Sequence, residues 1–411
     1  MTSTAAARPS KHAPAWLLGP AMVAGVAYLD PGNVAVNMSA GAQFGFLLVW
    51  VLVAANVAAW LIQYMSAKLG LATGASMAEL IGARTKTRRG RLLFGLQAQF
   101  VAIATDVAEV IGGAVALWIL FDTPLIVGAI ITGAVSTAML FAQARHGAKT
   151  FEFAIMGLII VIMIGFCYGF FLAPPPPADV LGGMIPKFEG PQSVLLAASI
   201  MGATVMPHAI YAHSSLARDR FRSGPSFPLP RLLRATRIDV TIALTIAGSV
   251  NLVMLLVAAT VLPGVEGTDS LEGAHAALES ALGATAGLLF AVALLASGLA
   301  STAVGAYAGA DIMGGLFRTR LKLITRRLIT IIPAIVVLAL GVDPTFALVL
   351  SQVVLSFGIP FALVPLVWLT SRRSIMGVAV NAWWTTAAGW VIAAGIIALN
   401  LALLTLQIGL I

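Results

Sequence analysis

Charged residues are scarce in this sequence. Asp, Glu, Lys and Arg account for 10% of the 411 residues and hydrophobic types for 60%, whereas a soluble domain has about 25% charged and about 45–50% apolar residues. Even a large globule must cover its surface with polar side chains, so it cannot hide this excess. The composition excludes a soluble enzyme, a nucleic-acid-binding protein and a disordered chain, and it predicts an integral membrane protein.

Cysteine is almost absent as well. The single Cys167 excludes an internal disulfide and a cysteine-based metal site. The five His residues are scattered, and the His-Glu-x-x-His pattern of zinc enzymes does not occur. We expect no resident cofactor, no nucleic-acid partner and no obligate protein partner, with the lipid bilayer as the surrounding of the chain.

Long apolar runs, in contrast, are frequent. A helix needs about 20 apolar residues to cross a bilayer, and a window of that size finds eleven candidate spans. They lie near 15–43, 46–69, 92–120, 123–143, 151–173, 192–217, 238–262, 281–307, 326–342, 344–369 and 380–410. No connection is long enough for a separate domain. We therefore predict a cytoplasmic tail at 1–14 and a single transmembrane domain at 15–411.

The basic residues test this count and set the orientation. With the N-terminus in the cytoplasm, 23 of the 24 Lys and Arg residues fall on the cytoplasmic side, and only Lys187 falls outside. Cytoplasmic loops are enriched in Lys and Arg, so the segregation predicts a cytoplasmic N-terminus and an extracytoplasmic C-terminus in the plasma membrane. The stretch Arg218–Arg237 is basic and rich in proline, and it is predicted to be a cytoplasmic loop.

Spans 1 and 6 are interrupted near the middle of the membrane. Span 1 is broken at Pro31 and span 6 at Pro207. Proline lacks an N–H and clashes with the carbonyl four residues back, so these prolines free the carbonyls of Ala27 and Ala203. Unpaired carbonyls at this depth are tolerated only where they line a cavity or meet a ligand.

The two breaks lie five spans apart. An odd repeat length inverts the second copy, which predicts an all-α membrane fold of two inverted five-helix repeats, about 15–173 and 192–369, plus an extra helix at about 380–410. Paired broken helices at matching positions are typical of a transporter's midplane site. The alternative is that the prolines are kinks and Asp30 is a structural residue, but an intramembrane carboxylate is costly and favours binding.

The residues at the breaks indicate what binds. Asp30 offers a carboxylate, Asn33 an amide oxygen, and Ala27 and Ala203 their freed carbonyls. Met206 adds a thioether, which softer first-row metals accept and from which hard cations gain little. A methionine in a helix usually packs, but its place directly before the second proline favours a ligand. The pattern predicts a site for Mn²⁺, Fe²⁺ or similar ions.

Four motifs resemble the natural resistance-associated macrophage protein (NRAMP) family of proton-coupled divalent-metal transporters. They are Asp-Pro-Gly-Asn at 30–33, Ala-Thr-Asp-Val-Ala-Glu-Val-Ile-Gly at 104–112, Met-Pro-His at 206–208 and Ser-Gln-Val-Val-Leu-Ser-Phe-Gly-Ile-Pro at 351–360. The resemblance implies the inverted-repeat fold of amino-acid and sodium symporters. It also implies uptake of Mn²⁺, with Fe²⁺, Co²⁺ and Cd²⁺ as further candidates, together with a proton. By that resemblance Gln352 joins the metal ligands.

Two acidic residues of span 3 point to proton movement. Asp106 and Glu109 are three residues apart and share a helix face. Two carboxylates in one membrane helix are not expected to face lipid, and such groups suit proton uptake and release. The alternative is a pair neutralised by a basic partner. Arg326 and Arg327, at the start of span 9, either anchor the helix or pair with these acids, and the resemblance favours at least one of them in the proton route.

His208 is a further candidate in the proton pathway, because histidine titrates near neutrality. A satisfied structural histidine is an equally open interpretation. Asp30 itself is expected to couple metal and proton, because a bound dication disfavours its protonation.

Three other functions compete with metal transport by a carrier. A metal-ion channel would favour a continuous pore with rings of like residues. A membrane-embedded enzyme would need a nucleophile, and Ser76 lacks the surrounding pattern. An amino-acid carrier would share the fold, but Asp30 would repel a substrate carboxylate.

Overall fold

The computed structural model describes residues 19–146, 148–222, 227–319 and 322–407, and these form helices without a strand. The helices are α1 (Pro20–Gly25), α2 (Pro31–Phe44), α3 (Val49–Thr73), α4 (Met77–Arg84), α5 (Arg88–Phe121), α6 (Leu125–His146), α7 (Ala148–Leu172), α8 (Pro177–Gly182), α9 (Gly190–Thr204), α10 (Pro207–Arg222), α11 (Leu229–Val261), α12 (Leu271–Leu282), α13 (Ala284–Ile312), α14 (Leu323–Ala339), α15 (Pro344–Thr370), α16 (Arg373–Met376) and α17 (Trp383–Gln407).

The membrane-length helices and the shorter apolar helices fall on the predicted spans. Within the described residues, eight helices are long and apolar enough to cross a membrane. Three shorter apolar helices, Pro20–Leu29, Leu125–Phe141 and Arg327–Ala339, lie on predicted spans 1, 4 and 9. Span 1 is short because it is divided into α1, a 3₁₀ turn at Val26–Leu29, and α2. Span 6 is divided in the same way into α9 and α10.

The packing between helices repeats itself. α2 packs on α11 as α10 packs on α3, and α13 packs on α7 as α15 packs on α5. Exchanging spans 1–5 with spans 6–10 converts each contact into its counterpart. Two copies of a five-helix unit related by a twofold axis produce this pattern, and it brings both broken helices to the centre of the molecule.

The basic stretch between spans 6 and 7 is not the single loop that was predicted. α10 continues to Arg222, and α11 begins at Leu229. Pro228 lies directly before α11 and Pro230 in its first turn. A proline there loses no helical hydrogen bond, because the first N–H groups of a helix have no partner within it. These prolines therefore start a helix.

The connection between spans 2 and 3 contains the short helix α4, which Ser76 begins. The Ser76 hydroxyl accepts from the Glu79 N–H at 3.3 Å, and the Glu79 carboxylate accepts from the Ser76 N–H at 2.8 Å. This reciprocal arrangement is a capping box. Ser76, the candidate nucleophile of a membrane-embedded enzyme, thus caps a helix.

Candidate metal-binding site

The break in span 1 presents a carboxylate at the start of a helix. Asp30 has extended backbone (φ −72°, ψ 163°) between the 3₁₀ turn and α2. Its Oδ1 accepts from the Asn33 backbone N–H at 2.8 Å and from Asn33 Nδ2 at 2.7 Å. An aspartate at this position caps the helix, and it also faces the positive end of the α2 dipole. The local sequence thus places Asp30 and Asn33 side by side.

The break in span 6 leaves the carbonyl of Ala203 without a helical hydrogen bond, because Pro207 has no N–H to donate. α9 ends at Thr204, Val205 leaves helical geometry (φ −106°, ψ 59°), and α10 begins at Pro207. Met206 therefore lies between the two half-helices, and its side chain is fully buried. The irregular segment keeps one helical bond, from the Val205 N–H to the Met201 carbonyl at 2.8 Å.

The two breaks meet. Asn33 Nδ2 in span 1 donates to the carbonyl oxygen of Ala203 in span 6 at 2.9 Å. Gln352 of α15 approaches from a third side, with its Nε2 at 3.5 Å from Asp30 Oδ2. Two acceptors here, Asn33 Oδ1 and Gln352 Oε1, are buried and accept no hydrogen bond from a described residue. Buried unsatisfied acceptors are costly, and a bound cation would satisfy them.

Two glycines make room for Gln352. A Cβ on Gly32 would lie 3.1 Å from Asp30 Oδ2 and would overlap the amide of Gln352. A Cβ on Gly202 would overlap the Gln352 carbonyl and lie 2.8 Å from the Ser356 nitrogen. A larger residue at position 202 would push the backbone of α15 away from the breaks, and one at position 32 would displace the side-chain amide of Gln352.

The site is closed to bulk solvent in this conformation. Asp30, Met206, Ala27 and Gln352 are 0% exposed, and Asn33 and Ala203 are 1% exposed. Within the described residues, no cluster of three or more His, Cys, Asp or Glu side chains suits a metal ion. A metal bound at the breaks would therefore have one carboxylate ligand, and its other ligands would be neutral. This agrees with the ligand set that the sequence predicts, in which oxygen atoms are combined with the sulfur of Met206.

Three polar residues that the sequence analysis missed support the break in span 1. Asn251 Nδ2 donates to the Tyr28 carbonyl at 2.6 Å, and the Ser297 hydroxyl donates to the Leu29 carbonyl. Gln63 Nε2 donates to the Tyr28 hydroxyl at 2.5 Å. The bonds from Asn251 and Ser297 satisfy backbone carbonyls that the break removes from the helix, and the bond from Gln63 holds the Tyr28 side chain. Polar side chains within apolar spans are expensive, and that signal would have identified Gln63 and Asn251.

The acidic residues of span 3 lie directly behind span 1. Asp106 is 4% and Glu109 0% exposed, and both carboxylates converge on Gly305 of α13, where a Cβ would lie 2.9 Å from Asp106 Oδ1 and 3.0 Å from Glu109 Oε2. One turn beyond Glu109, Gly112 contacts the ring of Pro31, which a Cβ there would overlap. The carboxylate pair and the first break are therefore packed against each other.

Arg327 joins this pair. It is 2% exposed, its Nη1 lies 3.7 Å from Asp106 Oδ1, and its Nη2 donates to the Ser136 hydroxyl at 2.5 Å. A buried arginine with these contacts is not a membrane-surface anchor. Arg326 lies in the same helix, but its side chain is outside the described residues.

The two histidines of α10 are buried and bonded. His208 Nδ1 lies 3.2 Å from the Thr105 hydroxyl, next to Asp106, while its Nε2 has no described hydrogen-bond partner. His213 Nδ1 lies 2.8 Å from Gln63 Oε1. His208 thus connects the second break with the carboxylate pair, and His213 connects α10 with the Tyr28–Gln63 contact.

A cavity of about 560 Å³ lies elsewhere, at the ends of α10 and α13. Three acidic residues line it, but Arg218 lies 2.6 Å from Glu79, 2.7 Å from Asp219 and 3.8 Å from Asp311. The Tyr307 hydroxyl donates to Asp219 at 2.7 Å. Arg218 thus contacts all three carboxylates and neutralises part of their charge.

Comparison with known proteins gives a consistent result. Residues 21–406 match the family model described as natural resistance-associated macrophage protein-like. The chain is 58% identical over 394 residues to the divalent metal cation transporter MntH of Mycobacterium tuberculosis, covering 96% of this chain and 92% of that protein. It is 45% identical over 392 residues to MntH of Bacillus subtilis, covering 94% and 91% of the two chains.

Solved structures agree with the fold. A crystal structure of the Eremococcus coleocola manganese transporter superposes with a TM-score of 0.84 at 32% identity, covering 96% of this chain and 88% of that one. A nucleobase-cation-symport-1 family transporter superposes with a TM-score of 0.63 at 15% identity, covering 95% and 92% of the two chains. The predicted all-α fold of inverted repeats with two broken helices is confirmed.

Proposed function

The chain belongs to the natural resistance-associated macrophage protein family, and on that premise we propose that it imports divalent transition-metal ions together with protons by alternating access. The observation that carries the proposal is the closed site at which two broken helices meet. One carboxylate, two unsatisfied amide oxygens and a thioether-bearing residue lie there.

The closed site supports a carrier rather than a channel. A channel needs a continuous pore, whereas here every proposed ligand is at most 1% exposed. A carrier must instead close its site on both sides in turn. Hinges between half-helices suit that motion, because they concentrate the backbone change in a few residues.

The proposed metal ligands are Asp30, Asn33, Met206, Gln352 and the carbonyls of Ala27 and Ala203. Asn33 supports this role because its Oδ1 is unsatisfied while its Nδ2 bonds to Ala203. Gln352 supports it because its Oε1 is unsatisfied and its Nε2 lies near Asp30. The thioether of Met206 favours Mn²⁺, Fe²⁺, Co²⁺ or Cd²⁺ over Mg²⁺ and Ca²⁺, which prefer oxygen.

The proposed proton route runs from Asp30 past Glu109 and Asp106 to Arg327. A metal dication at Asp30 disfavours protonation of that carboxylate. Gly112 packs on Pro31 and so places α5 against the break, which makes Glu109 and Asp106 the neighbouring carboxylates for the displaced proton. Asp106 in turn lies near Arg327. His208 is proposed as a side branch, because Thr105 bonds it next to Asp106.

The proposed location is the plasma membrane, with the N-terminus in the cytoplasm and the C-terminus outside. The distribution of Lys and Arg over the connections between spans supports this orientation. Import follows from this orientation when the external medium is the more acidic side.

Uptake into proteoliposomes with an imposed pH gradient tests the proposal. Wild type should accumulate Mn²⁺ above its external concentration when the gradient is present, and a pH-sensitive dye should report proton entry. Passive equilibration without accumulation would contradict a coupled carrier.

Asp106→Asn separates the two substrates in the same assay. The variant should retain Mn²⁺ binding, because Asp106 is not a ligand, and its proton entry should fall about tenfold or more. Unchanged proton entry would remove the carboxylate pair from the proposed route.

A further inference from the structure

Helices α3 and α11 form a groove on the membrane-facing surface. Its volume is about 390 Å³, and its walls are mainly apolar. The lining residues are Val53, Asn56, Val57, Trp60, Leu244, Thr245, Gly248, Ser249 and Leu252. Val57 is 66% exposed. We call this surface the α3–α11 groove.

Two cations stand at one end of the α3–α11 groove. The Trp60 indole N–H donates to the Thr241 hydroxyl at 2.9 Å, and this hydrogen bond links α3 to α11 at that end of the groove. Trp60 stacks on Tyr64 with ring centroids 6.3 Å apart. The guanidinium carbon of Arg237 lies 5.1 Å from the Tyr64 ring centroid, and Lys68 Nζ lies 5.7 Å from it.

The charge of these cations is not neutralised. Among the residues that the structure describes, no carboxylate forms an ion pair with Arg237 or Lys68. Lys68 is 5% exposed and donates to Asn381 Oδ1, a neutral acceptor. A buried charge without a counter-charge is costly, and a second cation beside it raises that cost. Arg237 is exposed, and an anion bound to it would offset the positive charge of both Arg237 and Lys68.

The distance from the far end of the groove to the cations fits one membrane leaflet. Val53, which lines the groove, and Tyr64, whose ring the two cations approach, are 11 residues apart on α3, which is about 16 Å at about 1.5 Å per residue. Half of a hydrocarbon core of about 30 Å is about 15 Å. The exposed Ile238 and Ile242 continue the apolar surface of α11 beside Arg237.

We propose that the α3–α11 groove binds one anionic phospholipid, with an acyl chain along the groove and the phosphate at Arg237, backed by Lys68. An anionic lipid complements an apolar groove whose far end lies about one leaflet from uncompensated positive charge. The site belongs to the leaflet predicted to be cytoplasmic. It involves neither the metal ligands nor the proton route.

A second groove serves as a control. It has a volume of about 500 Å³, and α3, α9 and α17 line it. The nearby cation, Lys187, is paired with Glu189 at 3.0 Å, so this groove lacks the uncompensated charge. Gly395 lines it, and a Cβ there would meet no atom within 4 Å, so Gly395→Leu fills this groove without strain.

Native mass spectrometry of protein released from nanodiscs tests the proposal. The nanodiscs contain equal parts of phosphatidylglycerol and phosphatidylcholine. Wild type should retain one phosphatidylglycerol in preference to phosphatidylcholine. Arg237→Gln should lower that retention about fivefold, the effect of about one basic contact to an anionic lipid. Thr245→Trp, which fills the α3–α11 groove, should lower it by a similar factor.

The matched controls should leave retention unchanged. They are Gly395→Leu and Arg372→Gln, the latter removing another exposed arginine, whose guanidinium carbon lies 5.3 Å from the Trp368 ring centroid. Millimolar inorganic phosphate should not displace the lipid, because it cannot occupy the groove. Equal retention of both lipids, equal effects of the two arginine variants, displacement by phosphate, or a lipid-free dimer in place of the lipid complex would each overturn the proposal.

Discussion

The two helix breaks share a proline that removes a backbone hydrogen bond, but they are held in different ways. At the break in span 1, side chains from three other helices bond to successive groups. Asn251 and Ser297 donate to the carbonyls of Tyr28 and Leu29, and Gln63 donates to the Tyr28 hydroxyl. Asp30 then caps the following half-helix.

The break in span 6 has fewer such contacts. The Ala203 carbonyl accepts from Asn33, which belongs to the other break. The Thr204 hydroxyl is buried, and it makes no hydrogen bond with a described residue. Met206 is held by packing, because a thioether accepts only weak hydrogen bonds.

This difference suggests a division of roles between the breaks. The first is a preorganised support for the carboxylate, so it should supply most of the metal affinity. The second contributes the soft ligand on a less constrained backbone, so it should adjust selectivity and follow conformational change. Four substitutions test this division, beginning with the largest expected effect.

Asp30→Ala should reduce Mn²⁺ binding and uptake to background, because it removes the single carboxylate proposed as a ligand. The control is Asp343→Ala. Asp343 also precedes a proline, and its carboxylate caps α15 by accepting from the Phe346 N–H at 2.6 Å. Loss of that cap should cost about 1 kcal/mol of stability and leave uptake intact. Near-normal uptake by Asp30→Ala would show that the break in span 1 does not supply a metal ligand.

Gly202→Ala should destabilise the protein more than Gly32→Ala. A Cβ on Gly202 meets backbone of α15, which cannot move alone, whereas a Cβ on Gly32 meets the flexible end of Gln352. Overpacking of the first kind costs about 1–3 kcal/mol. Thermal unfolding in detergent should therefore show a lower midpoint for Gly202→Ala. The reverse order would mean that α15 adjusts to the second break and not to the first.

Asn251→Ala should weaken Mn²⁺ affinity about tenfold, because the buried Tyr28 carbonyl loses its donor and the support of Asp30 relaxes. An unsatisfied buried group costs about 1–3 kcal/mol. Thr204→Val is the matched change at the other break, and it removes a hydroxyl that has no described partner. Calorimetric titration with Mn²⁺ should separate the two variants, and equal losses would erase the proposed difference between the breaks.

Met206→Ala should change the ratio of transported ions by several-fold and leave total transport less affected than Asp30→Ala does. Transition metals lose a soft ligand, with Cd²⁺ losing most, whereas Ca²⁺ and Mg²⁺ lose little. Uptake of the four ions Cd²⁺, Mn²⁺, Ca²⁺ and Mg²⁺ would be compared at matched protein density. A common factor for all four would assign Met206 to packing.

The sequence by itself determined the membrane class, the number of spans and the position of both breaks. These features depend on local signals, namely apolar runs of bilayer length and a proline that acts on the carbonyl four residues back. The pairing of Asp30 with Asn33 is local in the same sense, because a capping residue bonds three positions ahead. The stretch between spans 6 and 7 was misinterpreted because prolines begin helices as well as end them.

Only the tertiary structure decided which distant groups meet. Asn33 and Ala203 are 170 positions apart, Gln352 and Asp30 are 322 apart, and Arg327 and Ser136 are 191 apart. The supporting roles of Asn251 and Gln63, the passage that Gly32 and Gly202 leave for α15, and the burial of Arg327 next to Asp106 all depend on such contacts. These contacts could not be predicted from the sequence, because local periodicity shows only which face of a helix a residue occupies. The packing of the helices decides which residue of another helix it meets.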